Sequence, residues 1–194
     1  AAHLSSHGLG NLSNSKDNGA EFNLKCAEVC GKLGQAYEAF DLSPDGLYQN
    51  MVHETRVKLG RGLGRIKVLA ANPRTARGFS GDLILDEFAF HENSQAIWEA
   101  GEPILSANPE YLCRIMSTGN GRHNMFYRMV TSGQYPVLNV KRSDAWRMGL
   151  PVYHAVTRKP IKPEEARAMA LDKRAYDQNY ENVLADENMS LLTY

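Results

Sequence analysis

The sequence predicts an α/β fold with a largely parallel sheet flanked by helices. Three observations predict it. Short apolar runs recur along the chain: Ile66-Lys67-Val68-Leu69-Ala70, Leu83-Ile84-Leu85, Leu112-Cys113-Arg114-Ile115-Met116 and Val137-Leu138-Asn139-Val140. Helical patterns fall between them, and strands alternating with helices imply parallel crossovers. Leu83-Ile84-Leu85 is continuously apolar, as a strand covered on both faces requires. At 194 residues the chain suits one domain with a sizeable core.

Taken in order, residues 8–18 are rich in Gly, Asn and Ser and read as a loop. Asn18 followed by Glu21 is a capping-box pattern, so a helix is expected to start there. Phe22, Cys26, Val29, Cys30 and Leu33 then share one helical face, and Gly34 is a stop. Residues 41–50 carry a turn signal in Ser43-Pro44-Asp45-Gly46. Gly60-Arg61-Gly62-Leu63-Gly64-Arg65 reads as a hairpin or loop, because it matches neither a phosphate loop nor a dinucleotide fingerprint. Asn72-Pro73 ends the first strand. Ser94 is expected to cap a helix through Trp98 to Ala100, and His123–Val130 is a second helical stretch. Pro163, with Glu164 and Glu165 in the first turn, opens a helix running towards Arg174. The tail from Tyr176 has no clear period.

Composition narrows the function classes. The chain is 43% hydrophobic and 23% charged, which excludes a disordered, collagen-like or coiled-coil protein. Lys+Arg and Asp+Glu are both 22, so bulk charge does not drive nucleic-acid binding. That neutrality hides a polarised chain. Between Glu54 and Asp82 there is no acid, but there are Arg56, Lys58, Arg61, Arg65, Lys67, Arg74 and Arg77. This window either contacts phosphates or is a solvated face. No apolar run approaches membrane-spanning length, and the start lacks the pattern of a secretory signal. The start also lacks an initiator Met, which reads as a fragment. Cys26 and Cys30 are either a metal or redox pair or two small core residues, and with Cys113 the count is odd, against a disulfide scaffold.

The sharpest chemical feature is Leu83-Ile84-Leu85-Asp86-Glu87, an apolar strand ending in two acids, which is the Walker B arrangement. Ligands of open α/β sheets bind at the C-terminal ends of the strands. Asp86 there can hold Mg2+, directly or through water, and Glu87 can orient and deprotonate an attacking water. Thirty-one residues after Asp86, at the end of the next apolar strand, come Ser117-Thr118-Gly119-Asn120-Gly121. These residues either sense a terminal phosphate or form an ordinary loop capping the helix near His123. His91 follows Glu87 by four positions but does not complete a zinc-binding motif.

The stretch from Asn72 to His91, with Arg77-Gly78 before the strand, Asp86-Glu87-Phe88-Ala89 at its end and Phe90-His91 after it, resembles the ATPase region of the large terminase subunit of tailed phages, of the Mu-like prophage type. Ser117-Thr118-Gly119, with Asn124, Phe126 and Tyr127 after it, resembles that family's coupling motif. Tyr176-Asp177-Gln178-Asn179-Tyr180-Glu181 resembles the passage from ATPase to nuclease domain. The resemblance covers roughly residues 1 to 190 and is most specific at 72–127.

The resemblance implies a P-loop NTPase-like fold of the additional-strand type and a motor that packages viral DNA into proheads by hydrolysing ATP. By position, Asp86 holds Mg2+ and Glu87 activates water. Ser117, Thr118 and Gly119 contact nucleotide and couple hydrolysis to movement. Arg77, or its neighbour Arg74, reaches a neighbouring subunit's nucleotide, and Arg56, Lys58, Arg61, Arg65 and Arg74 meet DNA or phosphate. The implied partners are double-stranded viral DNA, the small terminase subunit, the portal protein and further copies in a ring, in the bacterial host cytoplasm. The family's Walker A loop should lie upstream of residue 1 and its nuclease acids downstream of residue 194. Residues 1–160 are therefore expected to be a partial ATPase domain, and 161–194 a linker helix and the start of the passage onward. Alone, such a chain should hydrolyse ATP poorly or not at all. Two other readings stand beside this one: a helicase-like NTPase, and a non-catalytic DNA-contacting or assembly module.

Overall fold

Leu9–Ser13 is a β-strand, β1, and it lies inside the main sheet. This corrects the loop expected over residues 8–18. Gly10, Asn11 and Ser13 are turn formers by local preference, but a strand laddered on both sides overrides local preference. The computed structural model describes residues 9–13, 15–32, 37–41, 53–59, 62–77 and 79–184. The turn expected over 41–50, the stop at Gly34, Arg61 and the end of the tail lie outside the described residues, apart from Asp41 itself.

The other strands of this sheet are β2 (Tyr37–Asp41), β3 (His53–Leu59), β4 (Gly62–Ala70), β5 (Asp82–Asp86) and β6 (Cys113–Met116). Their order is β2-β3-β4-β1-β5-β6. The four strands β4, β1, β5 and β6 are mutually parallel, while β2 and β3 add an antiparallel edge. β3 and β4 form the hairpin expected around residue 60, with Leu59 opposite Gly62.

β1 sits so close to its cover that a Cβ on Gly10 would lie 2.9 Å from the Phe79 ring. That face of the sheet is apolar. Leu12, Leu69, Leu83 and Leu85 are each 2% exposed or less, and Phe79, Phe88 and Ile97 are buried with them. Ile97 belongs to helix α3, introduced below.

Helix α1 (Lys16–Lys32) packs on the other face, against β4 and β3. It starts two residues before the expected cap. Ser15 Oγ accepts the Asn18 N–H at 3.2 Å, and Glu21 pairs instead with Lys25. Its buried line is Gly19, Asn23 and Ala27, whereas Phe22 and Cys26 are half-buried and Val29 is exposed. The expected face is therefore rotated. The reason is polar: Asn23 accepts a hydrogen bond from the buried Thr55 hydroxyl of β3. Gly19 admits Val68, with which any Cβ would collide.

The short helix α2 (Pro73–Ala76) follows β4, with Asn72 accepting the Arg74 N–H at 2.9 Å. Helix α3 (Ser94–Ser106) is capped by Asn93, whose side chain accepts the Ala96 N–H at 3.0 Å; Ser94 is the first helical residue rather than the cap.

By its contacts the chain divides into Ala1–Ser117 and Thr118–Tyr194. The second unit holds α4 (Met125–Thr131), α5 (Arg142–Arg147), the hairpin β7 (Val152–Tyr153) with β8 (Pro160–Ile161), α6 (Pro163–Met169) and α7 (Lys173–Glu181). The strand expected at 137–140 is absent. Leu138 is 89% exposed, and the Val140 carbonyl accepts from the Asn182 side chain instead of a ladder partner. The helix opened by Pro163 does not run on to Arg174. It stops at Met169, and Asp172 caps α7 by accepting the Arg174 and Ala175 N–H groups. Tyr176 donates its hydroxyl to the Pro163 carbonyl, and Arg167 grips Asp177 with two hydrogen bonds of 2.6 Å, tying α6 to α7. Arg142 lies over the Tyr180 ring, and Ser143 donates to Glu181, tying α5 to α7. No helix among the described residues is long and apolar enough to cross a membrane.

Candidate functional site

Several polar groups lie at the C-terminal edge of the four parallel strands. β5 delivers Asp86 there as its last residue, half-buried, and Glu87 follows at once. Glu87 has φ 52° and ψ 40°, the left-handed region that a side chain other than Gly seldom occupies. This sharp turn lets two consecutive acids leave the strand end instead of alternating across the sheet. A single turn of 3-10 helix, Phe88–Phe90, locks the turn, with the Phe90 N–H donating to the Glu87 carbonyl at 2.9 Å. Phe88 is fully buried and anchors the turn from below.

β6 pairs with β5 so that Met116 lies opposite Asp86, and Ser117 follows beside Glu87. The Ser117 hydroxyl has two jobs. Its oxygen accepts the Ala89 N–H at 3.1 Å, and its proton goes to the Glu87 carboxylate. Burial and the neighbouring Asp86 carboxylate push the Glu87 carboxyl above the ordinary range, and the Ser117 hydrogen bond pulls it partly back. A carboxylate so tuned is a better base near neutral pH. The sign of the Ser117 effect gives an expected result: Ser117→Ala removes a stabiliser of the charged form, so Glu87 titrates higher. A carboxyl titration of the 194-residue chain followed by NMR should then place the Glu87 midpoint at higher pH than in the wild type. A midpoint that stays put or moves down refutes the contact.

Two further residues escaped the sequence reading. Ser13 ends β1 one step beyond the Leu12–Leu85 pair, level with Asp86. Its hydroxyl is buried and makes no hydrogen bond, and the same holds for both polar atoms of the Asn11 side chain. A loop assignment hid them. His91 directs its Nε2 at the Asp86 carbonyl oxygen, 3.0 Å away. Among the described residues no three His, Cys, Asp or Glu side chains gather as a metal cluster.

A single carboxylate, a second acid and an unpaired buried hydroxyl make an all-oxygen donor set. That set fits Mg2+, which keeps several waters and takes one or two carboxylates; it does not fit a structural zinc.

The remaining expected residues lie as follows. α2 leaves the C-terminal end of β4, parallel to β5 and two strands away, roughly 10 Å by strand spacing. Arg74 on α2 and Arg77 at its end are both exposed at this edge. Arg65 is exposed on β4 with its guanidinium 5.4 Å from the Phe79 ring centre. Arg56 and Lys58 fall on β3, where Arg56 is in register with Arg65. Thr118 and Gly119 open the second unit; Gly119 is buried, and a Cβ there would lie 2.7 Å from Leu184 Cδ2. The helix after them is capped by Asn124, which accepts the Tyr127 N–H at 2.9 Å, so the loop hydroxyls are not its cap. Cys113 is a free thiol, and burial pushes it up to about 12, leaving it protonated and inert at neutral pH.

Comparison with known proteins bears on the fold. The chain is 30% identical over 131 residues to the probable terminase large subunit gp28 of Escherichia phage Mu, covering 60% of this chain and 23% of that protein. It is similar to the Mu-type large terminase subunit. The Mu-like prophage FluMu protein gp28 of Haemophilus influenzae is 31% identical over 91 residues, 44% of this chain and 18% of that one. The chain thus spans under a quarter of the length of these terminase relatives. No family model matches it. Among solved structures, the large terminase ATPase domain of Thermus phage P74-26 superposes with a TM-score of 0.51 at 16% identity, covering 93% of this chain and 78% of that one. The large terminase of a thermophilic bacteriophage, solved in complex with ADP, gives 0.60 at 9% identity, covering 93% and 41%. The fold is therefore like that of these large terminase ATPase domains, as the sequence resemblance implied.

Proposed function

We propose that the chain forms the Walker B and coupling part of an ATP-driven motor that packages viral DNA into proheads. The observation that carries this reading is the Asp86–Glu87 pair at the tip of a buried parallel strand, with Glu87 aimed by Ser117. Glu87 accepts the proton of an attacking water and orients its lone pair towards the terminal phosphate. Asp86, with the Ser13 hydroxyl beside it, would hold Mg2+, which when bound neutralises charge on the phosphates. Ser117 keeps the Glu87 carboxylate pointed, and Thr118 and Gly119 carry the change onward. Arg77, or Arg74 next to it, reaches the nucleotide of a neighbouring copy in a ring and stabilises transition-state charge. Arg56, Lys58, Arg61 and Arg65 offer positive charge to the DNA backbone.

In this reading residues 1–160 belong to the ATPase and 161–194 lead towards a nuclease domain. The motor works in the bacterial host cytoplasm with the small terminase subunit and the portal protein. The test is ATP hydrolysis by the full gene product, with and without Mg2+. Turnover of about 1 s⁻¹ or more that vanishes on chelation is expected. Metal-independent turnover, or none, overturns the reading. The 194-residue chain alone contains no G-x-x-x-x-G-K-[ST] string to cradle phosphates. It should stay well below that rate, and turnover near 1 s⁻¹ by this chain would refute the need for such a loop.

A further inference from the structure

His91 is 6% exposed, four residues beyond Glu87, and neither metal binding nor proton transfer accounts for it. Its Nε2 lies 3.0 Å from the Asp86 carbonyl oxygen. A carbonyl only accepts, so Nε2 carries the proton and Nδ1 is left as a bare lone pair. Nδ1 is buried and makes no hydrogen bond, so the ring is not held from that side. It is held instead by Phe88, edge to face, with centroids 5.5 Å apart and planes at 68°. The ring thus has one polar contact, and that contact falls on one peptide group.

That peptide group matters. The Asp86 carbonyl and the Glu87 N–H belong to the same rigid plane. Fixing the carbonyl fixes the plane from which Glu87 departs at φ 52°. Ser117 holds the Glu87 carboxylate and the Ala89 N–H from the β6 side. We propose that His91 is a positioning residue: its Nε2–H clamps the Asp86–Glu87 peptide and so holds the Glu87 carboxylate in its working direction. The inference rests on the reading of Glu87 as the base.

The test compares three variants of the full gene product. His91→Leu fills the site without a donor. His91→Gln returns an N–H close to the place of Nε2. Glu87→Gln reports on the base itself. His91→Leu should lose about 10- to 100-fold in kcat, the range expected for a misplaced catalytic group, with KM for ATP within about twofold, and His91→Gln should recover most of it. Wild-type rate in His91→Leu, or an equal loss in His91→Gln, overturns the clamp. If Glu87→Gln keeps full rate, the reading of Glu87 has failed instead, whatever His91 does. Amide hydrogen exchange on the 194-residue chain gives a second readout that needs no turnover. The Phe90 and His91 amides should exchange about tenfold faster in His91→Leu, and unchanged protection overturns the clamp. Should His91→Leu fail to fold, His91→Asn, whose amide is one methylene too short, takes its place in both measurements.

Discussion

Glu87→Gln should lower kcat for ATP hydrolysis in the full gene product by about 100- to 10,000-fold, the usual contribution of a general base. The substitution is close to isosteric. Gln still accepts the Ser117 proton, and the backbone turn at φ 52° does not depend on the charge. What is lost is the ability to take a proton. Stability should move the other way. Burial and Asp86 raise the Glu87 carboxyl above its ordinary value of 4.5, so the fold prefers the neutral form. For an acid with a raised folded-state pKa, the charged group weighs against folding as pH rises through the unfolded value, and the cost levels off above the folded one. At neutral pH the wild type therefore carries that cost and the Gln variant does not. The thermal midpoint of Glu87→Gln should equal or exceed that of the wild type while activity collapses. A melt several degrees lower would mean that the activity loss is structural, and an unchanged rate would mean that Glu87 is not the base.

The second large effect concerns stability. Phe88 is fully buried, one residue beyond Glu87, and carries the His91 ring on its edge. Phe88→Ala should cost about 3–5 kcal/mol, combining lost transfer energy with the cavity left behind. Against a usual total of about 5–15 kcal/mol, that is enough to unfold much of the population. Chemical denaturation gives the measurement. A loss below about 1 kcal/mol would mean that the turn is not seated in the core. Ala89, its equally buried neighbour, has no comparable volume to lose, so the effect belongs to the aromatic ring and not to burial in general.

The readable parts of the sequence were those where local pattern and tertiary environment agree. Leu83-Ile84-Leu85 is apolar on both sides and sits between two parallel neighbours, so strand, acids and strand end could be read together. Cys113–Met116 was legible from its short apolar run alone, because it lies at the end of the sheet with β5 as its parallel neighbour and is only half covered. β1 was not, because Gly10, Asn11 and Ser13 prefer turns and only the ladders to β4 and β5 make them a strand. The turn of α1 about its axis was hidden as well. Its buried line includes Asn23, whose reason for burial is Thr55, 32 positions later. The helix from Pro163 looked continuous because Ala170, Leu171 and Asp172 do not break the period strongly; Asp172 acts as a cap only once its side chain turns back. At the site, residue type pointed to Asp86, Glu87 and Ser117, but not to the direction of the Ser117 hydroxyl. His91 stood out only as failing to complete a zinc motif, and its role stayed hidden because its partner is a backbone oxygen that no motif displays.

Cys113 turns the sheet into its own reporter. The thiol is paired in register with Leu83 and stays protonated until about pH 12 while β6 remains docked. Alkylating reagents attack the thiolate, so modification at this sulfur should be slow while β6 is docked and faster once the strand peels away. Mapping the modified peptide by mass would therefore time the undocking of β6, and would do so with no label introduced into the protein.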